Sequence, residues 1–167
     1  MRRMSPALTW ATVAVASGCG VTAATTPPAL PDPLPYEFRV GAPLERVWSA
    51  LLLTYTDLNM PVENMDHSSW FMRSQEQIAP KTQALYWADC GTEALKQRAG
   101  NDFVDVFARI TTLLRPVGDS TAVRLNVSVR GFDTWDAVHP GAPPPNLRCV
   151  SLGVLERRVE GLMRARM

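Results

Sequence analysis

The stretch FVDVFARITTLLRPVGDSTAVRLNVSVRGF, residues 103–132, decides the fold. In its first half Val104, Val106, Ala108, Ile110, Thr112 and Leu114 fall on one side of an extended chain. In its second half Val123, Leu125, Val127 and Val129 alternate with Arg124, Asn126, Ser128 and Arg130. A period of two is the signature of a strand with one buried face, because successive side chains of a strand point to opposite sides. Gly118-Asp119-Ser120 between the halves supplies a hairpin turn. The two longest strands therefore form an antiparallel ribbon with one apolar and one wet face, and the apolar face must be covered.

Two segments carry the periodicity to cover it. In PLERVWSALLLTYTDL, residues 43–58, Leu44, Val47, Trp48, Leu51, Tyr55 and Leu58 recur at helical spacing. Pro43 suits the first turn, Glu45 lies near the positive helix end, and Asn59 is placed to stop the helix. In CVSLGVLERRVEGLMRARM, residues 149–167, Cys149, Leu152, Leu155, Val159, Leu162 and Met163 make one stripe opposite Glu156, Arg157, Arg158, Glu160 and Arg164. The spacing predicts a terminal amphipathic helix beginning at Cys149.

Shorter strands complete the plan. YEFRV, residues 36–40, alternates about Tyr36, Phe38 and Val40. VENMDHSSWFMRSQ, residues 62–75, gives two strands around a turn at Asp66-His67-Ser68, and QALYWAD, residues 83–89, reads as another strand. Residues 91–101 and the proline-rich 133–147 are connections. The expected fold is α+β: one antiparallel sheet of about five strands with two helices packed on one face, in the order β-α-β(4-5)-α.

Ahead of this domain, Met1-Arg2-Arg3 and the apolar run Ala7–Ala16 have the layout of a secretory signal peptide, too short for a permanent membrane span. Ala16-Ser17-Gly18-Cys19 then reads as a lipobox, with Ala16 in a place usually held by Leu. Cys19 becomes the lipidated first residue of the mature chain, and Gly20 behind it favours the periplasmic face of the outer membrane. An ordinary secretory signal cleaved nearby is the competing reading. Residues 19–35, rich in Pro and Thr, form an extended tether. The chain thus divides into a signal peptide (1–18), a tether (19–35) and a single globular domain (36–167).

The full sequence has 17 basic and 16 acidic side chains. Loss of residues 1–18 takes Arg2 and Arg3 and no acid, leaving a balance close to neutral that argues against nucleic acid as the main partner. Of the three cysteines, Cys19 goes to the lipid, and Cys90 and Cys149 remain as a pair in an oxidising compartment. A disulfide between them is the expectation. A metal site or redox pair would need a Cys-x-x-Cys spacing or more histidines than His67 and His139.

ASGC, PLERVWSALLLTYTDLNMPV and CVSLGVLERRVEGLM together resemble the plan of the BamC-type lipoproteins of the β-barrel assembly machinery. There a lipid-anchored N-terminus and a tether precede a helix-grip, or TBP-like, domain. The resemblance covers residues 19–167 and implies a non-enzymatic scaffold or accessory subunit of an outer-membrane assembly, with one such domain here where that family has two.

No phosphate loop, nucleophile elbow or zinc motif occurs. Asp66, His67, Ser68 and Ser69 are the residue types of a hydrolytic triad, but neighbours in one turn do not line up nucleophile, base and orienting acid. The expectation is a protein with no catalytic residue, no metal and no cofactor, held at a membrane by its N-terminal lipid and acting through an envelope protein partner. The expected contact surfaces are the wet sheet face at Arg124, Asn126, Ser128 and Arg130 and the Trp135–Pro145 loop with His139. An alternative is a binding module for a lipid or other apolar ligand, with Trp70, Phe71 and Trp87 lining a gap beneath Trp48 and Tyr55.

Overall fold

A computed structural model of the chain describes residues 35–91, 103–134, 136–138 and 146–167. Its centre is the expected hairpin. Strand β6 (Val104–Val117) and strand β7 (Ser120–Asp133) pair antiparallel over their full lengths, from Val104 opposite Asp133 to Val117 opposite Ser120, so Gly118 and Asp119 alone make the turn. Gly118 has a φ of +57° there, in the left-handed region that glycine enters without a Cβ penalty. Val104, Val106, Ala108, Ile110, Thr112 and Leu114 are all buried, as are Val123, Leu125 and Val127 across from them; Val129 is half-buried.

The sheet grows outward from this ribbon. Strand β1 (Tyr36–Val40) pairs antiparallel with β7, placing Phe38 opposite Val123 and Val40 opposite Thr121 on the core side. On the other flank strand β3 (Phe71–Ser74) pairs with β6 and strand β2 (Val62–Asp66) pairs with β3. Two pieces lie off this path: β4 (Gln77–Ile78) on β6, and β8 (Asn146–Arg148) on β7. The result is a seven-stranded sheet, larger than the five strands anticipated. Segments of two or three residues are too short to show a period, so β4 and β8 left no trace in the pattern.

Helix α1 (Leu44–Asp57) turns its Val47, Trp48, Ala50, Leu51, Thr54 and Tyr55 inward. It stops where Asn59 takes φ +52°, a conformation Asn tolerates, and the Met60 N–H returns to the Tyr55 carbonyl at 2.9 Å. Between β4 and β6 the chain makes a four-residue helical turn, α2 (Ala84–Trp87), then strand β5 (Ala88–Asp89). This corrects the continuous strand expected over residues 83–89. Ala84 and Trp87 are buried while Leu85 and Tyr86 are exposed, and that three-residue spacing is helical.

The last element is likewise shorter than expected. Helix α3 spans Val154–Arg164; ahead of it strand β9 (Val150–Ser151) pairs with β5 in a separate two-stranded sheet. Cys149 and Leu152 therefore lie outside the helix, and Leu152 is exposed. Gly153 at φ +76° breaks the chain between strand and helix. Leu155, Val159 and Met163 form the buried stripe.

Helices α1 and α3 touch each other, and both pack on the face of the sheet that carries the even-numbered side chains of β6. One continuous core links Leu51, Tyr55, Met72, Ile110, Leu125, Leu155, Val159 and Met163. Tyr36 at the start of β1 donates from its hydroxyl to Glu160 of α3, which also accepts from Arg164 at 2.7 Å. Arg166 reaches back to Asp57 at the end of α1. The fold is α+β, with a helical layer on one side of an antiparallel sheet and an open face on the other.

Cys90, just beyond β5, is disulfide-bonded to Cys149, 59 residues along the chain. The bond fastens the small sheet to the end of the large one. Gly131 in β7 faces Leu147 across the ladder. A Cβ at Gly131 would lie 3.2 Å from the Cys149 sulfur and 3.2 Å from Leu147 Cβ, so the disulfide packs closely against this glycine.

Candidate functional site

Register fixes which side chains share the open face. One row across the strands reads Arg39, Ala122, Arg115, and the next reads Glu37, Arg124, Leu113, Phe71. A third reads Asn126, Thr111, Arg73, Asn64, and toward the far end Arg148, Arg130, Phe107 and Ile78 stand in line. Arg124, Asn126 and Ser128 are exposed, as their alternation with valines and leucine predicts. Arginine predominates on this face.

Its charges fall into three groups. Arg130 is held hardest: its Nε donates to Glu76 Oε1 at 2.9 Å and its second nitrogen to Oε2 at 2.5 Å. This two-pronged contact holds the Glu76 carboxyl below the usual range, against the opposing effect of partial burial. The guanidinium also stacks over Phe107, 4.1 Å from the ring centroid. Arg130 is half-buried and paired with Glu76.

The second group is built by a β-bulge. Pairing of β2 with β3 slips between Val62 and Asn64, leaving Glu63 as the extra residue. A bulge re-aims the side chain at that position, and Glu63 lies 3.4 Å from Arg73 and 3.8 Å from Arg109. One carboxylate thus serves two guanidiniums. The Arg109 Nε is shut from solvent with no hydrogen-bond partner. Sequence reading missed this group, because a bulge breaks the alternation that assigns faces.

In the third group, Arg115 and Arg124 line a dent of about 50 Å³ together with Glu37, Leu113 and Ala122, and Arg39 stands beside Ala122 on the neighbouring strand. Arg115 stands 3.7 Å from Glu37, while Arg39 and Arg124 have no carboxylate partner among the described residues. Leu113 is 42 % exposed.

The turn at residues 66–69 does not assemble a triad. Asp66 Oδ1 accepts from the Ser68 N–H at 2.9 Å and the Ser68 hydroxyl at 2.7 Å, and Oδ2 accepts from the Ser69 hydroxyl at 2.8 Å. Those bonds, led by the Ser68 hydroxyl, pull the Asp66 pKa down to about 2. His67 turns away to Glu45, 3.1 Å from its Nε2, and packs against Trp70 and Trp48 with centroids at 4.3 and 5.3 Å. Both serines thus face the acid, and neither is bonded to the histidine. Trp70 adopts φ +56°, an uncommon conformation for a bulky side chain, with its ring edge-on to Trp48 at 5.8 Å.

Trp87 is buried in the core and Phe71 is half-buried on the open face, so the aromatics proposed to line one gap are dispersed. Beneath α1, Tyr55 is 1 % exposed and its hydroxyl meets Thr112 on β6 at 2.8 Å. A hollow of about 250 Å³ opens instead at the C-terminal end of α1, lined by Tyr55, Thr56, Asn59, Met60, Pro61 and Val62. Cys19, Trp135, His139 and the loop prolines 143–145 lie outside the described residues. Among the described residues no cluster of His, Cys, Asp and Glu could hold a metal ion, and no helix is long and apolar enough to cross a membrane.

No protein-family model matches this chain, and no curated protein matches its sequence.

Proposed function

We propose that the chain is a lipid-anchored cell-envelope protein that works as a non-enzymatic scaffold or accessory subunit of an outer-membrane assembly, on the helix-grip plan of the BamC-type lipoproteins. The observation that carries this reading is the Cys90–Cys149 disulfide. Structural disulfides persist in oxidising compartments such as the periplasm, which is where a signal peptide followed by Ala16-Ser17-Gly18-Cys19 would deliver the chain. Two features support contact over catalysis. The Asp66 turn spends its polar groups on itself. The open sheet face presents arginines that lack full neutralisation. The close packing of Tyr55 on Thr112 weighs against an apolar-ligand cavity beneath α1.

The test is intact-mass analysis of protein recovered from bacterial membranes, comparing wild type with Cys19→Ala, coupled to crosslinking in intact cells. A chain starting at Cys19 and heavier by its acyl groups, with a crosslinked envelope partner, is the expected result. A soluble chain without acyl groups, cleaved elsewhere, would overturn the anchor and with it the scaffold.

A further inference from the structure

The dent between Arg115 and Arg124, with Arg39 on the strand beside it, has a binding chemistry of its own. Its floor is Ala122 and Leu113, and the small side chain of Ala122 sits in the row between Arg39 and Arg115. Strands are spaced by about 4.8 Å, so those two arginines stand roughly 10 Å apart at their bases with an apolar notch between them. Arg124 closes the third side, and Glu37 is the one carboxylate lining the dent. Glu37 is taken up by Arg115 at 3.7 Å, so Arg124 in the dent and Arg39 beside it leave a local excess of positive charge. Guanidinium groups present paired N–H donors that match a carboxylate.

We propose that this dent and the adjoining Arg39 dock an extended acidic segment of a protein partner, with a small aliphatic side chain in the notch and a carboxylate to either side of it. The idea rests on the scaffold reading above and supplies the chemistry of the partner. Charge sets the occupant: Arg39 and Arg124 are exposed and have no carboxylate partner among the described residues, which favours an anionic segment, and the small Ala122 side chain leaves a notch for a small aliphatic group beside them. In an extended peptide, residues two apart lie on the same side, about 6.6 Å from each other. The sequence that fits is therefore acid-x-aliphatic-x-acid, each acid reaching outward to Arg39 or Arg115 and Arg124 available to the nearer one.

The test is a titration of the isotope-labelled mature chain, followed by amide NMR shifts, with the peptide GESVSEG at 50 mM salt. Controls are GQSVSQG, GKSVSKG, GESGSEG and a single-stranded oligothymidine. Expected are saturable shifts at Leu113, Ala122 and Arg124, at least fivefold tighter for GESVSEG than for the glutamine or glycine peptide and weakened at 300 mM salt. Arg124→Glu and Arg39→Glu should each lose at least fivefold while keeping the wild-type spectrum elsewhere, since both side chains are exposed. Equal response to the acidic and neutral peptides, or unchanged binding in both variants, would overturn the proposal. Tighter binding of oligothymidine at the same residues would overturn it in favour of a nucleic-acid surface. If the peptides fail while Cys19 is acylated and a partner still crosslinks, the docking site falls and the scaffold reading stands. If the peptides bind but Cys19 carries no lipid, the anchored scaffold falls and the acidic-segment site is retained.

Discussion

The hydroxyl of Tyr55 meets that of Thr112 at 2.8 Å in the buried seam between α1 and β6. Both residues are almost fully enclosed, and burial pushes the phenol pKa far above its ordinary value. Because the folded pKa is raised, the neutral phenol is favoured in the folded state, and stability is retained below about pH 10 and falls as the pH climbs beyond it. Tyr55→Phe would leave the Thr112 hydroxyl with one partner fewer and cost about 1–2 kcal/mol. Tyr55→Phe with Thr112→Val should recover much of that loss. Urea denaturation of the two variants measures it, and an unchanged midpoint for the single variant would show that the contact contributes nothing.

Cys149→Ser should lower stability by about 2–4 kcal/mol, the usual range for a native disulfide. Reduction of the wild type with dithiothreitol should give the same melting temperature as the variant. Calorimetry with and without reductant decides this. Two coincident melting curves for oxidised and reduced protein would remove the disulfide from any part in stability.

Asp66 should titrate with a midpoint near 2. Its folded pKa lies below its ordinary value of 3.8, so the turn bonds to Ser68 and Ser69 add stability that is complete above about pH 4 and lost as the pH falls through 2. Carboxyl carbon shifts followed from pH 5 to 1.5 would report it. Ser68→Ala should bring the midpoint back up toward 3.8, and a wild-type midpoint already there would refute the account.

Arg130→Met should destabilise the fold by about 1 kcal/mol, the combined scale of a half-exposed ion pair and a cation–π contact. It should also release the Glu76 carboxyl to titrate higher. Arg130→Lys keeps a charge near Glu76 but loses the fork geometry, and should fall between wild type and Met. Chemical denaturation ranks the three, and equal stability for all would show that the pair is ornamental.

Periodicity made the long elements legible. Residues 104–114 and 123–129 alternate, and the structure buries the side they indicate, Val129 in part. β1 and α1 appear within a residue of where their patterns place them. What escaped were events that break a period. Glu63 is displaced by a bulge, Gly153 cuts a helical stripe that Cys149 and Leu152 extend in the sequence, and Ala84–Trp87 coils one turn inside an apolar run that alternation could not assign. The dent was half legible: Arg124 was marked by its outward position, but Arg39, Arg115 and Ala122 come from three strands that only register aligns.

Tyr36 is the first residue of β1. Traction on the residues before it would reach the domain at the five-residue ladder between β1 and β7 and at the clip from the Tyr36 hydroxyl to Glu160. Glu160 sits on α3 and is braced by Arg164, so pull at one terminus is shared with the helix that ends the other. The first strand is thereby tied to the last helix, and Tyr36→Phe should be weaker under force, by optical-tweezer unfolding from the N-terminus, than its stability at rest would suggest.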